Sequence, residues 1–103
     1  MGSKERLYER LLTRVLDEQV RQDFEAEFHR RRSEIPIPVE FSWDKSRSSI
    51  TLGSKWVGFL IHFVHDKMVV DADLSFAARL LATESNRRQV VKLIRSVADD
   101  LRL

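Results

Sequence analysis

The side chains in this sequence that could do chemistry each have a plainer structural reading beside the chemical one. The histidines are His29, His62 and His65. His62 and His65 stand three apart in what reads as a strand running into a turn, so they do not aim at one point as an i, i+2 strand pair would. Asp66 and Asp71 lie close enough to complete a His/Asp metal site on paper, but the spacing matches no ligand pattern. One sheet-face histidine and one turn histidine is the plainer reading. Asp71 and Asp73 share a strand face, roughly 7 Å apart. Paired carboxylates can do acid/base work or hold a metal. On a sheet face they also discourage edge-to-edge pairing, which is the plainer role. Ser48 and Ser49 have no histidine partner visible in sequence, and no nucleophile elbow is present. Gly2, Gly53 and Gly58 are scattered, so no glycine-rich phosphate loop exists. These residues predict no catalytic site, no metal and no cofactor.

Basic residues raise a second class of function. From residue 75 onward there are six basic residues against three acidic ones. Arg87, Arg88, Lys92 and Arg95 are candidate nucleic-acid contacts, with Arg88, Lys92 and Arg95 on one helical face. Arg30-Arg31-Arg32 could also touch phosphates, although at a helix end they complement the dipole and read as a solvated terminus. The overall balance, +2 from 18 basic and 16 acidic residues, is a weak argument for a polyanionic partner.

The elements that position these residues are organised around residues 55–74. Val57, Phe59, Ile61 and Phe63 alternate with Trp56, Gly58, Leu60, His62 and Val64, and period-two alternation with aromatic and β-branched residues predicts a strand. Beyond His65, Met68, Val70, Ala72 and Leu74 alternate against Val69, Asp71 and Asp73. A turn at His65-Asp66 pairs Phe63 with Met68, Ile61 with Val70, Phe59 with Ala72 and Val57 with Leu74, all on one apolar face. A turn at Asp66-Lys67 keeps the same faces together, whereas a three-residue loop mixes them, which a buried face forbids. Neither turn carries an Asn-Gly or Asp-Gly signal.

Residues 3–32 read as a long N-terminal helix, with Leu7, Leu11, Val15, Phe24 and Phe28 joined by Leu12, Leu16 and Val20 in one stripe. Ile35, Ile37, Val39, Phe41 and Trp43 predict a strand over residues 35–43. Pro36 and Pro38 cannot donate ladder bonds, which places it at an edge. A polar turn follows, then a short strand with Ile50 and Leu52 inward. From Ser75 the period is helical again. Phe76, Leu80 and Leu81 form one segment, and Asn86 with Gln89 resembles a capping box that restarts a second. Val90, Ile94, Val97 and Leu101 line the second segment. The expected fold is a single two-layer α+β domain over residues 1–103: an N-terminal helix (1–34), a four-stranded antiparallel meander (35–74) and a C-terminal helical segment broken near Thr83 (75–103).

With 103 residues, 43% of them hydrophobic and 33% charged, the chain can bury a core of its own. It has no cysteine, hence no disulfide and no thiolate ligand. No apolar run approaches ~18 residues, and the N-terminus has no apolar signal core. Arg6 stands where a myristoylation pattern wants Ser or Thr. A cytoplasmic protein with no membrane span is the expectation. The outer face of the central hairpin is too apolar for free solvation. Trp56, Leu60, His62 and Val69 on it predict an interface with protein, in the first place a second copy of the chain.

The helix–strands–helix order is similar to that of the double-stranded RNA-binding domain, which would imply shape-selective contacts to phosphates. That family's glycine- and lysine-rich approach to the last helix is replaced here by Thr83-Glu84-Ser85-Asn86. A different likeness rests on Trp43, the strand residues Gly58, Phe59 and Ile61, the stretch from Asp66 to Val70, and Leu74, Phe76, Leu80 and Leu81. In these the chain resembles the small bacterial polyhydroxyalkanoic acid system (granule-associated) proteins, over about half its length. Members of that family begin with a strand before the first helix, which is not read in this sequence. The resemblance implies a non-catalytic accessory protein and transfers no functional residue. Protein binding with self-association is therefore the first expectation, nucleic-acid binding through the basic C-terminal helix the second, and a small metal-dependent enzyme the third.

Overall fold

The computed structural model of the chain describes residues 3–34, 39–53, 58–74 and 84–103. Its strands are β1 (Ser3–Leu11), β2 (Glu40–Trp43), β3 (Ser49–Gly53), β4 (Gly58–Val64) and β5 (Lys67–Leu74). Its helices are α1 (Glu18–Arg31), followed by a 3-10 turn at Arg32–Glu34, and α2 (Glu84–Asp100). The strands form one antiparallel sheet in the order β1-β5-β4-β3-β2. The fold is α+β, as the sequence predicts.

The β4–β5 hairpin has the expected register, with Phe63 opposite Met68, Ile61 opposite Val70 and Phe59 opposite Ala72. The expected pair of Val57 with Leu74 lies outside the described residues. His65 opens the turn with a φ of 57°, a conformation that histidine tolerates better than most non-glycine residues. All six paired side chains are buried, as are Ile50 and Leu52 of β3. Against this face α1 buries Val20, Phe24 and Phe28, while α2 buries Val90, Leu93, Ile94, Val97 and Ala98. These are i, i+4 and i, i+3, i+4, i+7 spacings, one stripe per helix. The Phe24 ring meets Phe63 edge-on with centroids 5.8 Å apart, a favoured aromatic geometry. The indole N–H of the half-buried Trp43 donates to Glu25 on α1 at 2.9 Å, so the edge strand β2 is tied to the helix layer. That edge placement is the one expected from the prolines; residues 35–38 themselves lie outside the described residues.

The long N-terminal helix over residues 3–32 is corrected. Its first third is β1, which lies antiparallel to β5, and the expected four-stranded sheet has five strands. The charge-rich segment SKERLYERL has good helical propensity, but pairing it with β5 covers a strand edge that would otherwise be open, and tertiary pairing overrides propensity. Arg6 also meets Asp71 across this ladder at 2.6 Å, and Glu9 meets Lys67 at 3.1 Å. The helix begins instead after Asp17, whose carboxylate accepts the Val20 N–H at 2.8 Å as an N-cap. Leu7 is the extra residue of a bulge, because the register shifts between Arg6 and Tyr8. Leu7 and Tyr8 consequently both pack against the core.

At the other end of the chain, α2 starts at Glu84, two residues before the expected restart at Asn86; the expected segment with Phe76, Leu80 and Leu81, and the break near Thr83, fall outside the described residues. Its C-terminus closes with Leu103 N–H donating to the Ala98 carbonyl at 2.9 Å and Arg102 N–H to the Asp99 carbonyl at 3.1 Å. This is a Schellman cap, in which Leu103 is buried and Arg102 takes the left-handed position that glycine usually fills, with φ 58°. Relieving that backbone conformation, Arg102→Gly is expected to stabilise the fold by about 1 kcal/mol, read as a higher denaturant midpoint with an unchanged slope.

The two helices are joined through the Arg31 guanidinium, which pairs with a carboxylate on each. Glu27 accepts from Arg30 at 2.7 and 2.8 Å and from Arg31 at 3.1 Å, and Arg31 also pairs with Asp100 of α2. The Arg30 guanidinium above all, with Arg31, lowers the Glu27 carboxyl to about 2. A carboxyl depressed on folding stabilises above its unfolded value of about 4.3 and loses that contribution as pH falls further. Glu27→Gln is expected to flatten the loss of thermal stability between about pH 4.3 and pH 2, as followed by circular dichroism.

Candidate functional site

Two surfaces could act on other molecules, and they lie in different layers. The first is the outer face of the sheet, which neither described helix covers. Side chains of β1, β5, β4 and β3 alternate onto it as the register dictates, giving rows such as Glu9–Val69–His62–Ser49 and Leu11–Lys67–Val64. A polar chain crosses its middle. Arg6 donates to Asp71 at 2.6 Å and reaches Glu9 at 3.3 Å, and Lys67 meets Glu9 at 3.1 Å. The Lys67 ammonium holds the Glu9 carboxyl below the usual carboxylate range, and Asp71 raises the Arg6 guanidinium. His62 continues the chain, sharing a hydrogen bond with Ser49 Oγ at 2.9 Å through Nδ1 and placing Nε2 4.0 Å from Asp71.

Asp71 stands diagonal to His62, whose direct neighbour on β5 is Val69, but Ser49 does have a histidine partner that the sequence does not show, His62. The two residues are 13 apart in sequence and meet only because β3 and β4 pair. As placed, Ser49, His62 and Asp71 lack two features of an acyl-transfer site. A separation of 4.0 Å between His62 and Asp71 is not a hydrogen bond. A serine nucleophile also needs donors for an oxyanion, but the Ser48 and Ser49 N–H groups both donate to Asp44 Oδ1, at 3.0 and 3.1 Å. Among the described residues there is no cluster of three or more histidine or carboxylate side chains placed to hold a metal ion. His29 lies apart from the other two histidines, on α1 against Phe28 and Phe41.

Of the expected interface residues, Leu60 and His62 are half-buried on this outer face, Val69 is 9% exposed, and Trp56 lies outside the described residues. Val69 is absent from the core between sheet and helices. It lies on the opposite face, between Glu9 and His62 in the register. Among the described residues, the large exposed apolar ones are Val15 at 83%, Leu11 at 65% and Val64 at 51%. Leu11 and Val64 flank Lys67 at the hairpin end of the outer face. The helical reading of residues 3–32 hid two of these three, because it assigned Leu11 and Val15 to an inward stripe.

The second surface is a groove between α2 and β1. A cavity of about 490 Å³ opens there, with all four candidate cations, Arg87, Arg88, Lys92 and Arg95, on its α2 wall. Val91 lies among them, and Glu5 and Leu7 of β1 form the opposite wall. Arg87 donates to Glu5 at 3.0 Å, and the exposed Arg88 meets Glu84 at 2.5 Å. No ion pair involves Lys92 or Arg95 among the described residues. Sequence reasoning found the cations from their helical spacing. It missed Glu5 and Leu7, since a strand at residues 3–11 was not expected.

No protein-family model, no curated protein and no solved structure matches the chain significantly. The geometry of these two surfaces therefore carries the functional reading. If the Ser49–His62 contact is purely structural, a phosphonofluoridate probe should leave the mass of the protein unchanged. An adduct on Ser49, lost in His62→Ala, would establish an activated serine instead.

Proposed function

We propose that this chain is a non-catalytic accessory domain that works by binding protein, and that it self-associates through the outer face of its sheet. The observation that carries the reading is Leu11 and Val64, 65% and 51% exposed, beside the half-buried Leu60 on a face that no described helix covers. Apolar side chains half or more exposed in one region of a small domain commonly mark a contact.

A second copy is the occupant that fits the charges. Arg6, Glu9, Lys67 and Asp71 already neutralise one another across the face. A nearly neutral surface offers a highly charged partner no electrostatic gain, and it does not repel its own copy. Isologous pairing about a two-fold axis is the common way for such a face to be used. The resemblance to the polyhydroxyalkanoic acid system proteins supports the accessory part of the reading. The strand β1 before the first helix removes the departure from that family's pattern met in the sequence.

Static light scattering over a hundredfold range of concentration tests the proposal. A mass of two chains at the upper end is expected, and Leu60→Asp combined with Val64→Asp should return it to one chain while the circular dichroism spectrum is kept. A single-chain mass throughout, or a dimer indifferent to both substitutions, would overturn the assignment to this face.

A further inference from the structure

We infer that the groove between α2 and β1 is a binding site for a small organic anion, a phosphate or carboxylate head on an apolar body. The site belongs to the helix layer, so it does not depend on what the outer sheet face does. Arg88, Lys92 and Arg95 recur at i, i+4 and i+7 on α2 and line the same cavity. Like charges at that spacing repel, and a bound anion relieves the repulsion.

The four cations are not equivalent. Arg87 is engaged by Glu5 across the groove at 3.0 Å, which leaves its charge matched. Arg88 pairs with Glu84, but both side chains are 70% or more exposed, and such a surface pair is weak enough to be exchanged for a ligand. Lys92 and Arg95 have no ion-pair partner among the described residues. An anion of one or two negative charges therefore meets Lys92 and Arg95 first, with Arg88 free to swing in. The planar guanidinium of Arg95 suits either a carboxylate or a phosphate as a two-pronged donor.

The apolar half of the ligand is specified by Leu7 and Val91. Leu7 is the bulge residue of β1, and that bulge lets it line the cavity while Tyr8 keeps its place against the core. Bulges that re-aim a side chain are common beside binding sites. A volume of about 490 Å³ is within the range of small-molecule sites and too small to enclose a nucleic-acid duplex. Inorganic phosphate alone would leave the Leu7–Val91 floor unused.

The test is displacement of anilinonaphthalene sulfonate, an apolar-bodied anion whose fluorescence rises on binding, from the intact protein. Saturable binding is expected. Lys92→Glu with Arg95→Glu should weaken it at least tenfold, and Lys92→Gln alone should weaken it several-fold, with the circular dichroism of both variants unchanged. Leu60→Asp on the outer face should leave it as it was. Hexyl phosphate or hexanoate should displace the probe at least tenfold better than inorganic phosphate, hexanol should not displace it, and the stronger of the two acids identifies the head group. Binding that survives both charge reversals, or is lost in Leu60→Asp, overturns the site. So does duplex RNA that binds through Lys92 and Arg95 and is not displaced by the hexyl ligands.

Discussion

The structure depends on the register of the β4–β5 hairpin. With Phe63 opposite Met68, Ile61 opposite Val70 and Phe59 opposite Ala72, both strands place a continuous apolar set on one face. A slip of one residue would replace that face with Leu60, His62, Val69 and Asp71, and neither helix could pack on it. Once the register is set, both helices must lie on the same side. The opposite side of the sheet is then left to the polar chain from Arg6 to Ser49 and to the apolar residues at its end.

This one-sidedness also separates the two candidate surfaces. The outer face carries charges that are mutually satisfied, so its binding capacity rests on shape and apolar contact. The groove carries charges on α2 that exceed their partners on β1, so its capacity is electrostatic. Both surfaces depend on β1. It supplies Arg6, Glu9 and Leu11 to one and Glu5 and Leu7 to the other. A nine-residue strand alternates its side chains across the sheet, and the bulge at Leu7 adjusts that alternation where the groove needs an apolar wall.

The polar chain on the outer face brings a serine, a histidine and an aspartate together without the contacts of a triad. Ser49 and His62 face each other across β3 and β4, and Asp71 stands diagonally on β5, two residues from the Val69 that His62 faces. The set lacks a hydrogen bond between His62 and Asp71, and the Ser48 and Ser49 N–H groups are already given to Asp44. Acyl transfer relies on both of those.

What the sequence alone determined is what local periodicity records: the hairpin and its inward residues, the edge position of residues 40–43, the α2 stripe and the cations beside it. Alternation at two and recurrence near 3.6 are properties of short windows, and Phe59 to Ala72 or Val90 to Ala98 express them without help from elsewhere. Tertiary structure decided β1. Leu7 and Leu11 fit a helical stripe as well as they fit a bulged strand, and only the open edge of β5, more than 50 residues away, makes the strand the better choice. The Asp17 cap has a sequence signal, an Asp followed by Glu18 and an apolar Val20, that the reading of one continuous stripe did not take up. Ser49 with His62, and Leu7 with the cations of α2, were decided in the same way. Contacts between distant segments leave no period in the sequence, because they arise from which elements pair and not from how any one of them is patterned.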